Sequence, residues 1–148
     1  MRLQKSSLFG LYALLELASA PNAQLSTSEI AEKYGISPHH LAKVMMTLVR
    51  AGLAQSVRGV GGGYRFTGNA SRVTLSDVIE LFEPIGSGHD FADNNAALET
   101  PVGLALQNVR DEIDELAKAT LKSITLKTLL RSAEKLDLTQ GAIRVGGD

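Results

Sequence analysis

The polar and apolar positions of the first third of the chain predict two short helices separated by a glycine. Ser26 and Glu29 have the spacing of a capping box, so a helix is expected to begin there. Gly35 supplies the left-handed residue that ends this helix. Ser37 can cap a second helix, with Pro38 at its first position, where a missing N–H costs nothing. The pattern is that of a helix-turn-helix.

The second helix divides into two arcs when its residues are placed at about 100° per residue. The apolar arc, which must face a core, contains Leu41, Val44, Met45 and Leu48. The opposite arc is basic or hydrogen-bonding and contains His39, His40, Lys43, Thr47 and Arg50. Because base edges and phosphates in a major groove are bound by hydrogen-bond donors, this arc indicates DNA binding. An ordinary solvated helix face is the alternative.

A glycine-rich hairpin is predicted immediately after the second helix. Two β-prone runs, Leu53–Val57 and Tyr64–Thr67, are joined by a segment that begins with Arg58. A nucleotide-binding loop is disfavoured, because Gly59 and Gly61 lack the third glycine at dinucleotide spacing and a strand follows instead of a helix. A thin tip carrying one arginine can enter a minor groove, whose negative potential attracts arginine. The segment is therefore interpreted as the wing of a winged helix.

Three further helical segments are predicted around this unit, and a short fourth helix, Ile124 to Leu130, is expected after them. Residues Gln4 to Ala20 form a largely buried helix, and Thr74 caps another helix that Pro84 stops. From Pro101 a longer helix carries apolar residues spaced 4, 3, 4 and 3 apart, which are Val102, Leu106, Val109, Ile113 and Leu116. Its other face is acidic, with Asp111, Glu112, Asp114 and Glu115. This seam favours pairing with another helix, although packing on its own domain is the alternative.

Charge is distributed unevenly along the chain. The formal net charge is −1, but residues 1–72 hold eight basic and three acidic side chains, whereas the remainder holds seven and thirteen. This asymmetry indicates a basic face for a polyanion on one half only. The sequence contains no cysteine, no membrane-spanning apolar run and no signal-peptide pattern at its start. These absences are compatible with a cytoplasmic location without establishing it, and that is the location we expect.

The pattern as a whole resembles the Rrf-type bacterial regulators, the family of the IscR-like and NsrR-like iron–sulfur and nitric-oxide sensors. The resemblance lies in ISPHHLAKVMMTLVRAGLAQSVRGVGGGYRF, with MRL at the start and VTLSDVIELFEP after the wing. SVRGVGGGY is its most specific part, and weaker similarity continues through DEIDELAKATLKSITLKTLL, to roughly residue 131. The resemblance implies a homodimeric winged-helix transcription factor of bacterial origin, with the long helix as the dimerisation helix.

The predicted fold is mainly α with a small β-hairpin. A winged helix-turn-helix domain is expected over residues 1–84 and a loop over 85–100. The dimerisation helix and a short following helix are expected over 101–137, and a mobile tail over 138–148. The partners would be double-stranded DNA and a second copy of the chain, with a small-molecule or protein effector left open. The homodimer would bind an inverted-repeat operator. It is expected to act as a repressor, although the sequence leaves activation open as the alternative. The predicted DNA-binding residues are Ser26, Thr27, Ser37, Pro38, His39, His40, Lys43, Thr47, Arg50, Arg58, Gly59, Gly61, Gly62 and Tyr64.

No cofactor is expected. Cluster-binding relatives carry three cysteines in the region equivalent to residues 85–100, and some use an acidic ligand where this chain has Leu8. The chain lacks both kinds of ligand. His89, Asp90 and Asp93 leave a zinc or hard-metal site open, but their spacing matches no strong motif and favours a solvated loop.

Two other classes of function are weighed against DNA binding. A winged helix that docks proteins without specific DNA binding is the first alternative, and the basic second helix argues against it. An enzyme built on His39, His40 or His89 is the second alternative. Adjacent histidines diverge by about 100° on a helix, and the sequence offers neither a Ser/His/Asp spacing nor a carboxylate pair in an apolar pocket. We expect no enzyme.

Overall fold

The computed structural model describes residues 1–86 and 95–145. Over these residues the chain is mainly helical with one antiparallel hairpin, which confirms the predicted fold class. The elements, in chain order, are α1 (Lys5–Ser19), α2 (Thr27–Tyr34), α3 (Pro38–Arg50), β1 (Ala54–Val57), β2 (Gly63–Phe66), α4 (Leu75–Ile79), α5 (Asn95–Leu98), α6 (Pro101–Ser123) and α7 (Leu126–Val145).

The core lies between α1, α3 and the elements that flank them. Leu14 and Leu17 of α1 and Leu41 and Leu48 of α3 are fully buried in one apolar cluster. The same cluster includes Ile79 of α4. The first 85 residues therefore bury their apolar faces against one another, which fixes the direction in which the polar arc of α3 points.

The two predicted N-terminal caps of the helix-turn-helix are confirmed. The Ser26 hydroxyl accepts a hydrogen bond from the Glu29 N–H at 3.1 Å, and the Ser26 N–H donates to Glu29 Oε2 at 2.6 Å. Gly35 ends α2 with a φ of 63°, which a glycine adopts without a steric penalty. Ser37 accepts from the His40 N–H at 3.5 Å, and Pro38 is the first residue of α3.

The hairpin is joined by its backbone to the turn that precedes α2. Ala54 pairs with Phe66 and Val57 with Gly63 at its two ends. The Leu25 N–H donates to the Tyr64 carbonyl at 2.9 Å, and the Tyr64 N–H donates to the Leu25 carbonyl at 2.8 Å. These two bonds fix the hairpin beside the helix-turn-helix.

The helix after the wing is shorter than predicted. A Thr74–Asp77 capping box begins α4 as expected, but the helix ends at Ile79 instead of continuing towards Pro84. A 3₁₀-type turn follows, because the Phe82 N–H donates to the Ile79 carbonyl, three residues back, at 2.9 Å. This turn places the Phe82 ring against Gly10 of α1, where a Cβ atom would lie 2.5 Å from the ring.

The corner between α6 and α7 is attached to the winged-helix unit through the backbone. The Leu75 N–H donates to the Ile124 carbonyl, and the Leu126 N–H donates to the Val73 carbonyl, both at 2.9 Å. Leu121 and Leu126, on either side of the corner, are buried. The start of α7 is thus part of the core, whereas most of α6 projects away from it.

The prediction that the last helix is short is wrong, whereas the mobility predicted for residues 138–148 stays a prediction. Helix α7 continues from Leu126 to Val145, and residues 146–148 lie outside the described part of the chain. No proline follows Pro101, and positions 128–140 contain four leucines together with single Arg, Ala, Glu, Lys and Gln residues, all of which favour a helix.

The predicted loop over residues 85–100 contains the short helix α5 at its end. His89, Asp90 and Asp93, where a metal site was left open, lie outside the described residues. None of the helices described here combines the length and the apolar character that a bilayer crossing requires.

Candidate nucleic-acid interface

The two arcs of α3 are separated as the periodicity predicts. Leu41, Val44, Met45 and Leu48 are at most 2 % exposed. On the opposite side His39, Lys43 and Arg50 are exposed, and Pro38 is exposed at the beginning of the helix. Because burial of the apolar arc fixes the rotation of the helix, these polar side chains point outward together.

His40 and Thr47 lie at one edge of this exposed face. The His40 Nε2 atom is 3.2 Å from Ser6 Oγ, and its ring packs edge-on against Phe9, with centroids 4.8 Å apart. His40 is one turn before Val44, so it borders the buried arc and is held against α1. Thr47 is half-buried, and its hydroxyl donates to the Lys43 carbonyl at 3.5 Å.

Sequence reasoning missed two apolar members of the exposed face. Met46 is 51 % exposed, and Ala42, one turn earlier, is also exposed. The spacing contained the signal, because Met46 lies seven residues after His39 and four before Arg50, on the same side of the helix. Sequence reasoning assigns apolar residues to the core, and so the interpretation of the polar arc passed over them.

The starts of α2 and α3 present hydroxyl groups on the same helix-turn-helix. Ser26 and Ser37 each accept a backbone hydrogen bond, which leaves their own hydroxyl hydrogens to donate. Thr27, the first residue of α2, is partly exposed. The hydrogen bond from the Ser26 backbone N–H, supported by the Ser26 side chain, lowers the pKa of Glu29. Glu29 is therefore a firmly ionised component of the cap.

Helix α2 is attached to α1 by a polar and aromatic cluster. Glu16 accepts hydrogen bonds from the Tyr34 hydroxyl and from Lys33 Nζ, the latter at 2.8 Å. Tyr34 also stacks on Tyr12 with ring centroids 4.8 Å apart. Burial raises the pKa of Glu16, but the bonds from Lys33 and Tyr34 outweigh it and lower the pKa overall. Burial and Glu16 raise the pKa of the Tyr34 hydroxyl above its ordinary range.

The glycines of the wing are required by the backbone conformation. Gly59 and Gly61 have φ values of 105° and 75°, which side chains rarely permit. A Cβ atom on Gly62 would lie 2.5 Å from the Val57 carbonyl oxygen, and one on Gly63 would lie 2.5 Å from that of Leu25. The tip is therefore narrow, and Arg58 lies exposed at its base.

Tyr64 and Arg65 differ from each other in what they present. Tyr64 is half-buried, its side chain packs on the apolar core, and its backbone joins Leu25. Arg65, the next residue, is exposed, and its Nη2 and Nε atoms donate to Gln55 Oε1 at 2.9 and 3.3 Å. Sequence reasoning missed this second arginine of the wing. The β-strand alternation that turns Tyr64 inward could have identified it.

The electrostatic character of this surface follows from an absence in the sequence. No aspartate or glutamate occurs between Glu32 and Asp77, a stretch that includes α3 and the whole hairpin. The cations in the same stretch are Lys33, Lys43, Arg50, Arg58, Arg65 and Arg72. An anion approaching α3 and the wing therefore meets no carboxylate from these two elements.

Helix α6 presents the second candidate surface. The five seam residues predicted from the heptad spacing are all exposed, with Val102 at 70 %, Leu106 at 65 %, Val109 at 56 %, Ile113 at 59 % and Leu116 at 64 %. Because they repeat every three or four residues, they form one apolar stripe along the helix. Such a stripe on an isolated chain is typical of an interface between macromolecules.

The residues present do not suit an iron–sulfur cluster. Cysteine thiolates hold such clusters, and the sequence contains none. Leu8 is a half-buried apolar residue of α1. It stands where some cluster-binding regulators of the resembled family have an acidic ligand. Within the described ranges, no three His, Asp or Glu side chains come together as a metal site would require.

Comparison with known proteins finds similarity to transcriptional regulators along nearly the whole chain. The family model described as "Rrf2: Iron-dependent Transcriptional regulator" matches residues 3–132. The HTH-type transcriptional regulator BadM of Rhodopseudomonas palustris is 53 % identical over 131 residues, covering 88 % of this chain and 82 % of BadM.

Two solved structures are also similar. IscR of T. potens is 28 % identical with a TM-score of 0.68, covering 92 % of this chain and 90 % of that one. CymR, the global cysteine regulator of B. subtilis, is 28 % identical with a TM-score of 0.72, covering 88 % of this chain and 97 % of that one.

Proposed function

This chain belongs to the Rrf2 family of transcriptional regulators, and on that premise we propose that it represses transcription by occupying inverted-repeat operator DNA as a homodimer. Its DNA-binding elements would be α3 and the wing. Its subunit interface would be the apolar stripe of α6, defined by the five seam residues from Val102 to Leu116. The expected location of such a regulator is the cytoplasm.

The observation that carries this proposal is the exposed, carboxylate-free face of α3 beside an arginine-bearing wing. A helix diameter with side chains is about 10–12 Å, which matches a major groove about 12 Å wide. His39 and Lys43, near the start of α3, would lie closest to the base edges, as in helix-turn-helix proteins generally. Arg58, exposed at the base of the narrow tip, would reach the adjacent minor groove or its phosphates. His40 contributes by packing α3 on α1, and its contact with DNA would be secondary.

The dimer is supported by the contrast between α6 and the rest of the chain. Its stripe holds five large apolar side chains that are more than half exposed. The flanking acidic residues Asp111, Glu112 and Glu115 are exposed too, and they would be repelled by DNA. A second copy of α6 can cover the stripe while keeping the acidic face away from the operator. Two copies related by a two-fold axis would then present two α3 helices to a dyad-symmetric site.

We further propose that this regulator works without an iron–sulfur cluster, although the family description names iron. The support is the ligand set, since the chain supplies no thiolate. Protein purified under anaerobic conditions should be colourless and should lack acid-labile sulfide. Stoichiometric iron and sulfide would overturn this part of the proposal and would leave DNA binding untouched.

The central experiment is selection of duplex DNA from a random pool by the full chain. The expected product is an inverted repeat whose half-sites lie about one helical turn, roughly 34–36 Å, apart. Affinity for it should fall steeply with salt, because bound phosphates release counterions.

An unrelated sequence of equal length is the control, and it should bind more weakly at every salt concentration. Selection that enriches no sequence would contradict the proposal and would favour the alternative of a protein-docking winged helix. Enrichment of a single half-site without dyad symmetry would contradict the dimer alone.

A further inference from the structure

An exposed methionine occupies the middle of the surface through which α3 would contact DNA. Met46 is 51 % exposed, whereas Met45, its neighbour in sequence, is fully buried. Met45 therefore packs in the core, whereas about half of the Met46 surface is in contact with solvent. A single exposed apolar side chain is common on protein surfaces. Met46 is distinguished by its place, because it lies among His39, Lys43 and Arg50 on the face that would contact DNA.

The position of Met46 on the helix is central to that face. A residue seven positions after His39 returns to within about 20° of it, two turns further along. Ala42, also exposed, lies one turn before Met46, and Arg50 one turn after. Ala42 and Met46 thus form a short apolar strip, which we call the 42/46 strip, with Lys43 beside it.

The major groove offers one apolar group that such a strip can recognise. Each base pair presents hydrogen-bonding atoms there, but only thymine adds a C5-methyl group. Met has three rotatable bonds and a polarisable sulfur, so its end can adapt to a methyl group set among polar atoms. The flanking Lys43 and Arg50 can bind acceptor atoms or phosphates on either side, which the 42/46 strip cannot.

We propose that the 42/46 strip reads thymine methyl groups, with Met46 as the specificity-determining residue in each half-site. The inference rests on the proposed operator binding and adds to it the chemical identity of one base. A protein partner on this strip is the competing occupant, and the cations of α3 with no intervening carboxylate favour DNA over it.

Replacement of thymine by deoxyuridine in the selected operator tests the proposal directly. This change removes the methyl group and keeps every hydrogen-bonding atom of the base pair. Each thymine is replaced singly, and one or two positions in a half-site should respond. At such a position the wild-type protein should bind the substituted operator about fourfold more weakly, as expected for the loss of one buried methyl group. Changing the same position in both half-sites should weaken binding by about fifteenfold.

The Met46→Ala protein should lose affinity for the thymine operator and should no longer distinguish thymine from deoxyuridine. Met46→Leu, which keeps an apolar side chain of similar size, should retain most of the discrimination. Lys43→Ala is the matched control on the same face, because it should weaken binding to both operators equally. Circular dichroism melting checks that the variants fold, which the exposure of both side chains leads us to expect.

Each outcome decides the matter. A wild-type protein that binds both operators equally at every thymine overturns the inference while operator binding stands. Discrimination that persists in Met46→Ala assigns methyl recognition to another residue and overturns the role of Met46. If no operator can be selected, the proposed function fails and this inference fails with it.

Discussion

Helices α3 and α6 carry apolar residues at the same three-and-four spacing, yet the chain treats them oppositely. The four apolar residues of the α3 arc are at most 2 % exposed, because α1 and the neighbouring elements cover them. The five residues of the α6 stripe are between 56 and 70 % exposed. Periodicity therefore identifies which face of a helix is apolar, but it does not identify what covers that face.

The polar faces of the same two helices separate their roles further. The exposed side of α3 carries His39, Lys43 and Arg50 and no carboxylate. The exposed side of α6 carries several acidic residues, among them Glu112 and Glu115. A polyanion is attracted to the first surface and repelled by the second. Helix α3 thus combines a buried apolar face with an exposed cationic face. Helix α6 combines an exposed apolar face with an exposed acidic face.

The largest effect is expected from placing a charge in the α6 stripe. Ile113→Glu would bury a carboxylate at the interface twice, once from each copy, and burying an unpaired charge costs several kcal/mol per ion. We expect the variant to be monomeric where the wild type is dimeric, and to bind the full operator more weakly by orders of magnitude. Light scattering measures the association state, and titration of labelled operator measures the affinity.

Leu104→Glu is the matched control for that substitution. Leu104 is 53 % exposed but lies about 180° around α6 from Ile113, since nine residues separate them. It should remain dimeric. A monomeric wild type, or equal dissociation of both variants, would show that the stripe does not form the subunit interface.

The α3 side of the comparison is tested by removing part of its buried arc. Leu48→Ala deletes a fully buried side chain and should lower the free energy of unfolding by about 2–5 kcal/mol. Met46→Ala, on the exposed face of the same helix, should change it by less than about 0.5 kcal/mol. Urea unfolding followed by circular dichroism measures both. Similar losses in the two variants would mean that the two faces of α3 are not as distinct as their exposure indicates.

A smaller effect is expected on the salt dependence of operator binding, which should change when a cation of the wing is removed but not when a cation of α6 is removed. Arg58→Ala should weaken operator binding by roughly 1–3 kcal/mol and reduce the slope of log affinity against log salt by about one. Lys118→Ala removes a cation from α6, where Lys118 Nζ is paired with Glu115 at 3.1 Å, and should leave the slope unchanged. Equal slopes in Arg58→Ala and wild type would contradict a phosphate or minor-groove role for the wing arginine.

The smallest expected effect concerns the cap that begins α2. Hydrogen bonds from Ser26 lower the pKa of Glu29 below its ordinary value of 4.5, so the folded state favours the ionised carboxylate. The stabilisation is fully present above that ordinary value and is lost as pH falls through the lowered pKa of the folded state. Thermal melting of wild type and Glu29→Ala from neutral pH to pH 2 should show a gap that closes in acid. A gap that stays constant over this range would contradict the assignment.

The elements that could be predicted from sequence are those fixed by local chemistry. The caps at Ser26, Ser37 and Thr74 and the left-handed Gly35 depend on neighbouring residues only, and all four were predicted correctly. The end of α4 could not be predicted, because Phe82 leaves the helix pattern to pack on Gly10, a contact distant in sequence. The continuation of α7 is a local feature that sequence reasoning missed. Its helix-forming residues were a usable signal, but α7 is only weakly amphipathic, and the prediction relied on apolar periodicity.

The candidate interface divides in the same way. Periodicity alone places Lys43 and Arg50 on the outer face of α3. The contacts of His40 with Ser6 and Phe9 could not be foreseen, because they depend on how α1 crosses α3. Tyr64, also predicted to bind DNA, is half-buried with its side chain packed on the core, and its backbone bonds to Leu25 join elements that are distant in sequence.

The backbone attachment of the α6–α7 corner has a consequence for how this chain can change during evolution. The Leu75 N–H donates to the Ile124 carbonyl at 2.9 Å, so the chain between these residues forms a closed loop of about fifty residues. The entropy of closing a loop grows only logarithmically with its length, so that doubling it costs about 0.6 kcal/mol. Residues inserted or deleted before α6 would therefore alter stability little and leave the point where α7 begins unchanged. A change in the length of the chain before α6 would thus leave the geometry of the winged-helix unit constant, because Val73 and Leu75 hold the corner in place from the other side.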